Sequence, residues 1–102
     1  MRTLMHPRTE ELRFSVVLQA LSDPTRLNIV RALLHNPPQA CQDIFPQMPK
    51  STRSHHFRIL REAGITYTAT VGPRHVVTVR ERDLEERFPG LLNVLVHATR
   101  PD

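Results

Sequence analysis

The 102-residue sequence has one cysteine, no tryptophan and three glycines that never share a loop. A lone cysteine forms no internal disulfide, so the chain suits a reducing compartment rather than a stapled secreted fold. Scattered glycines supply no phosphate-cradling loop. No apolar run approaches the roughly 18 residues of a membrane span, and the first residues lack the pattern of a signal peptide, so a cytoplasmic protein without a membrane partner is expected. The length excludes a two-domain enzyme. What is present is one modest core, with 39% hydrophobic and 24% charged residues. A chain of this size buries only about 60–70% of its unfolded surface, so a partner subunit would add useful apolar burial. The net charge of +4 favours a polyanionic partner.

The patterning predicts a mainly α fold of five to six helices with one β-hairpin. A first helix is expected over residues 9–21, capped by Thr9, with Glu10 and Glu11 in its first turn. Its middle, Phe14-Ser15-Val16-Val17-Leu18-Gln19-Ala20-Leu21, is apolar on nearly every side and requires two packing surfaces. Asp23-Pro24 is an N-cap followed by a favourable first helical residue. The second helix then runs to about residue 35, with Leu27, Val30, Ala32, Leu33 and Leu34 inward and Arg26 and Arg31 towards water, until Asn36-Pro37-Pro38 ends it. A short segment over 40–45 offers Ile44 and Phe45 to the core. Residues 50–63 form the next helix, with Phe57, Leu60 and Ala63 at threefold spacing and Gly64 as its stop. The period then changes to alternation: Ile65, Tyr67, Ala69 and Val71, a turn at Gly72-Pro73-Arg74, and a return through His75-Val76-Val77-Thr78-Val79. A charged helix over 80–88, capped near Asp83, and an apolar one over 91–98 complete the chain. Residues 9–98 are read as one domain, with 1–8 and 99–102 as flexible ends.

Helices joined by a proline-bearing turn and followed by a hairpin have the layout of a winged helix-turn-helix. A helix that enters the major groove needs outward donors and small side chains, and a core grip beneath. Lys50-Ser51-Thr52-Arg53-Ser54-His55-His56-Phe57-Arg58 supplies both. Between residues 46 and 64, Lys50, Arg53, Arg58 and Arg61 stand against Glu62 alone, a net +3 out of the chain's +4. Double-stranded DNA is therefore the expected partner, with Ser51, Thr52, Ser54 and His55 at phosphates and base edges and Arg58 and Arg61 at phosphate. His56 falls on the inward side, as a core histidine. Ser54-His55 lacks an orienting carboxylate nearby, so a serine-hydrolase reading fails and no enzyme is expected.

Two stretches carry a resemblance. Ala20-Leu21-Ser22-Asp23-Pro24-Thr25-Arg26-Leu27-Asn28-Ile29-Val30-Arg31-Ala32-Leu33 resembles the second-helix motif of the ArsR (arsenic-repressor-like) family of bacterial regulators. Lys50-Ser51-Thr52-Arg53-Ser54-His55-His56-Phe57-Arg58-Ile59-Leu60-Arg61-Glu62-Ala63-Gly64-Ile65 is similar to that family's recognition helix. With the hairpin and terminal helices, the likeness spans residues 9–98. It implies a homodimeric transcriptional repressor on an inverted-repeat operator, with the recognition helix in the major groove and the first and last helices as the dimer interface. The apolar character of those two helices points the same way and names Leu12, Val16, Leu91, Leu92, Leu95 and Val96. The sequence departs from the family pattern in three places. Arg53 stands where an apolar residue is usual and Pro49 where a serine cap is common, while the wing has Arg74 as its one clear basic contact.

The family's metal sites are not matched. Gln39-Ala40-Cys41-Gln42-Asp43-Ile44 holds one cysteine where a Cys-x-Cys pair would stand, and no two histidines are four apart, so no metal or other cofactor is expected. Cys41 is either a redox sensor near a helix start or a small packed residue. No small-molecule effector is identified. The alternative functional reading is a protein-interaction and dimerisation module on the same winged frame.

Overall fold

The computed structural model describes residues 4–36 and 38–98, apart from the side chains of Gln39 and Cys41. The Pro37 stop and the Cys41 redox reading therefore concern groups outside the described residues. Five α-helices are present among them: α1 Phe14–Leu21, α2 Pro24–His35, α3 Lys50–Glu62, α4 Glu81–Arg87 and α5 Leu91–His97. Strands β1 Gln39–Ala40, β2 Thr66–Val71 and β3 Arg74–Val79 form one antiparallel sheet in the order β1-β3-β2. None of these helices is long and apolar enough to cross a membrane.

Local chemistry sets several boundaries. Asp23 Oδ2 accepts the Arg26 backbone N–H at 3.1 Å, with Pro24 opening α2. Beyond α3, Gly64 donates to the Arg61 carbonyl and Ile65 to the Leu60 carbonyl, each at 3.0 Å. This pairing needs the left-handed φ of +84° that Gly64 adopts without strain. Leu60 and Ile65, at the two ends of the second bond, are both fully buried, so the turn that stops α3 also seals it to the core.

The hairpin pairs Val71 with Arg74 beside the turn and Thr66 with Val79 at its open end. A third strand was not expected. β1 adds two residues to the far side of β3, pairing Gln39 with Val77 and Ala40 with Val76. A 3-10 turn over Cys41–Asp43 then brings Ile44 into the core, whereas Phe45 stays outside at φ +52°.

The first helix is interrupted rather than continuous over 9–21. Thr9–Glu11 makes a single 3-10 turn, Leu12 is extended (φ −67°, ψ 130°), and helical geometry starts at Phe14. The Thr9 hydroxyl does not cap it, but donates to Asp83 Oδ1 at 2.6 Å. Asp83 in turn does not cap α4: Arg80 holds the N-cap position, and Asp83 lies in the first turn, where it also accepts from Arg80 Nε at 3.0 Å. The break turns Leu12 inward over Gly64, so closely that a Cβ on Gly64 would overlap Leu12 Cδ2. Packing against that bare glycine outweighs one unbroken helix. Within the end expected to be flexible through residue 8, two groups are engaged: Thr68 donates its backbone N–H to His6 Nε2 at 3.0 Å, and Arg80 Nη1 donates to the Pro7 carbonyl at 2.7 Å, while Met5 is exposed. Residues 1–3 and 99–102 lie outside the described residues.

One core joins all layers, with Val17 and Leu21 from α1, Ile29, Val30 and Leu33 from α2, Phe57 and Leu60 from α3, Val77 from β3 and Leu84 from α4. It also takes three residues assigned above to a dimer interface. Leu12 is 1% exposed, and Leu92 and Leu95 are each 8% exposed, within the protomer itself. Val16, Leu91 and Val96 are half-buried. Helical geometry explains the exchange. On α5, Leu92 and Leu95 are three apart and share the inner face, which turns Val94 outward. On α1, Val17, Ala20 and Leu21 face inward, and Phe14 and Leu18 lie along one outer flank. The apolar side chains that these helices expose are Phe14 (48%), Leu18 (46%) and Val94 (65%).

Candidate nucleic-acid interface

α3 has two distinct faces. Phe57 and Leu60 are buried, and Ile59 packs beside them. Lys50, Ser51, Thr52, Ser54, His55 and Arg58 are exposed, with Arg53 and Arg61 half-buried at the margins. Pro49 precedes the helix in extended conformation and offers no side-chain cap, and the Arg53 N–H bonds the Pro49 carbonyl at 2.9 Å. The N–H groups of the first turn are thus left without a side-chain cap.

A groove of about 940 Å³ runs between α3 and the hairpin wing. One wall carries Lys50, Ser51, Arg53, Ser54, His55, Arg58 and Arg61, and the other carries Thr68, Pro73 and His75, with Gln42 alongside. Seven of the nine residues read as DNA contacts are gathered here. Thr52 is exposed on α3 outside this lining. Arg74 is elsewhere, its Nη2 paired with Asp43 Oδ2 at 2.8 Å, so its charge is neutralised by the loop before α3. No carboxylate is among the lining residues, leaving four cationic side chains uncompensated at the wall. Arg61 Nε is buried without a hydrogen-bond partner among the described residues. Gln42, Thr68, Pro73 and His75 were missed by the sequence reading. His75 follows the turn where the hairpin reverses, and that position was the available signal for it.

Behind α3, Arg26 does not point to water. Its Nε donates to the Ala20 carbonyl at 2.7 Å and its Nη1 lies 3.3 Å from His56 Nδ1, joining the end of α1 to the middle of α3. Arginine only donates, so His56 Nδ1 is the acceptor and the ring is neutral. Burial first, then the charges of Arg26 and His55, push His56 below the ordinary histidine value against the opposing pull of Asp23. Arg31 stays at the surface, where it donates to the Ala98 carbonyl at 2.6 Å. Among the described residues no three His, Cys, Asp or Glu side chains come together.

A buried-backed helix with a cationic outer face, set beside a β-wing, defines a winged helix-turn-helix DNA-binding domain. The helix-turn-helix domain family matches residues 21–66, from the end of α1 to the start of β2. The HTH-type transcriptional regulator YceK of Bacillus subtilis is 35% identical over 82 residues, covering 78% of this chain and 82% of that protein. The chain belongs to the HTH-type transcriptional regulators. Its fold is shared with a homodimeric winged helix-turn-helix DNA-binding domain from Mycobacterium bovis, a possible ArsR-family regulator (TM-score 0.66, 24% identity, 79% of this chain and 75% of that one). It is shared also with an ArsR-like transcriptional regulator from Rhodococcus sp. RHA1 (TM-score 0.63, 22% identity, 78% of this chain and 76% of that one).

Proposed function

We propose that the protein is a homodimeric repressor that sets one α3 in each of two major grooves of an inverted-repeat operator. The observation that carries this reading is the division of α3, with Phe57 and Leu60 sealed beneath and hydroxyls and cations facing a groove without carboxylates. Ser51, Thr52, Ser54 and His55 take the base-edge and nearby phosphate contacts. Lys50, Arg53, Arg58 and Arg61 neutralise phosphates, which position the helix without encoding sequence. Arg74 contributes least, being paired with Asp43. Dimerisation uses the outer apolar side chains Phe14, Leu18 and Val94 rather than the buried leucines. The M. bovis domain of the same fold, described as homodimeric, supports pairing as such without naming the side chains involved. A two-fold pair reads half-sites about 34–36 Å apart or at a small multiple of that spacing, and occupancy there blocks initiation sterically. Selection of bound sequences from random duplex DNA should yield an inverted repeat. A single unpaired half-site, or no enrichment, would overturn the reading.

The exposed Phe14, Leu18 and Val94 also favour a second reading, in which the winged frame serves contacts with another protein. Salt separates the two. DNA affinity falls with a log–log slope near −0.9 per neutralised phosphate, whereas an apolar protein contact barely responds.

A further inference from the structure

The segment before α1 crosses the junction between the reading helix and the wing. Gly64 lies at this junction, and the chain passes directly over it: a Cβ on Gly64 would overlap Leu12 Cδ2 and stand 3.2 Å from Pro7 Cγ. On the wing side, the His6 ring stacks on Tyr67 of β2, with centroids 4.2 Å and planes 20° apart, and its Nε2 accepts the Thr68 backbone N–H at 3.0 Å. On the other side, Arg80 Nη1 holds the Pro7 carbonyl and Thr9 Oγ1 holds Asp83. Thr68 and Arg61 also line the groove assigned to DNA, so the His6 bond ends on the groove's own wall.

We propose that residues 6–12 are a strap fixing the wing against α3, and that His6 is its proton-operated latch, a positioning residue for DNA binding. This rests on the DNA-binding reading above. The latch follows from the valence of imidazole: Nε2 accepts the Thr68 N–H only while the ring is neutral, and a second proton turns that acceptor into a donor facing a donor. A charged ring would also face the guanidinium groups of Arg61 from α3 and Arg80 beyond β3. Asp83 is already engaged by Arg80 and Thr9, and Tyr67 offers only its ring face. Burial first, then Arg61 and Arg80, hold His6 below the ordinary histidine value, with the Leu4 backbone as the opposing influence. The latch is therefore closed at neutral pH and opens as pH falls through that lowered value.

His6→Gln keeps an acceptor that takes up no proton, and comparison with it cancels the contribution of every other histidine. Affinity for the selected duplex should be measured for both proteins at constant ionic strength from about pH 7.5 to about pH 5, with exchange of the Thr68 amide followed in the DNA-free protein. Near pH 7.5 the affinities should agree. In acid the wild type should bind about two- to tenfold more weakly than His6→Gln, the size of one net hydrogen bond. Protection of the Thr68 amide should be lost over the same range in the wild type alone. Equal wild-type protection at both ends of the range overturns the latch, and affinities that run parallel while Thr68 opens overturn its positioning role. Failure of both proteins to bind duplex at any pH overturns the DNA reading and the positioning role together. Thr68 exchange, which involves no DNA, tells that case apart from failure of the latch.

Discussion

Arg58 is exposed on α3 and enters no ion pair among the described residues, so its charge is free for a phosphate. Arg58→Ala should weaken binding to every duplex alike and lower the salt slope by about 0.9 for each phosphate released. Arg74→Ala should leave the slope nearly unchanged, since Asp43 already holds that guanidinium. An unchanged slope for the first, or a large drop for the second, would redraw the footprint. Asp23 is a stability residue. Asp23→Ala should cost about 1 kcal/mol in urea unfolding through loss of the α2 cap. The Arg26 N–H holds the Asp23 carboxyl below the usual carboxylate range. Because the folded value is depressed, this contribution is complete above the unfolded value of about 4 and is lost as pH falls through the folded one. The gap between wild type and variant should accordingly close in acid. Asp83, lowered by the Thr9 hydroxyl first and then Arg80, changes in the same direction. Asp23 could be read from the sequence because its partner is three residues away. The Arg74–Asp43 pair could not, because a third of the chain separates the two and only the fold brings them together.

Among the elements, the legible ones carried their signals within a few residues: Asp23-Pro24 for α2, Gly64 for the end of α3, and the alternation that makes β2 and β3. β1 is two residues long and has no alternation to show. The break before α1 was hidden because the segment is a good helix on local grounds, and what interrupts it is the seat for Leu12 above Gly64. That seat can be probed directly. Gly64→Ala forces a side chain into left-handed backbone and onto Leu12 at once, so it should destabilise by about 2–4 kcal/mol in urea unfolding. A loss of only a few tenths would mean that Leu12 moves aside freely.

For the molecule as a whole, the terminal helices were expected to be too apolar for one protomer to hide fully, and they do leave Phe14, Leu18 and Val94 exposed. Their residues could not be sorted between protomer core and outer surface, because both faces of α1 and α5 are apolar and only packing against α2 and α4 decides. The consequence is testable. Leu95→Ala removes core and should cost about 2–5 kcal/mol. Leu18→Glu, on the outer flank, should leave the fold cooperative while sedimentation shows a monomer with weakened operator binding. A variant that stays dimeric would move the interface elsewhere. Among the described residues, the order β1-β3-β2 also leaves one long side of β2 without a neighbouring strand. Unpaired margins of that kind are templates on which like chains stack into insoluble fibres. By occupying the amide at the midpoint of β2, the imidazole of His6 denies that template to a second chain. Preparations trimmed ahead of Pro7 should therefore scatter light on gentle warming, under conditions where the intact protein stays clear.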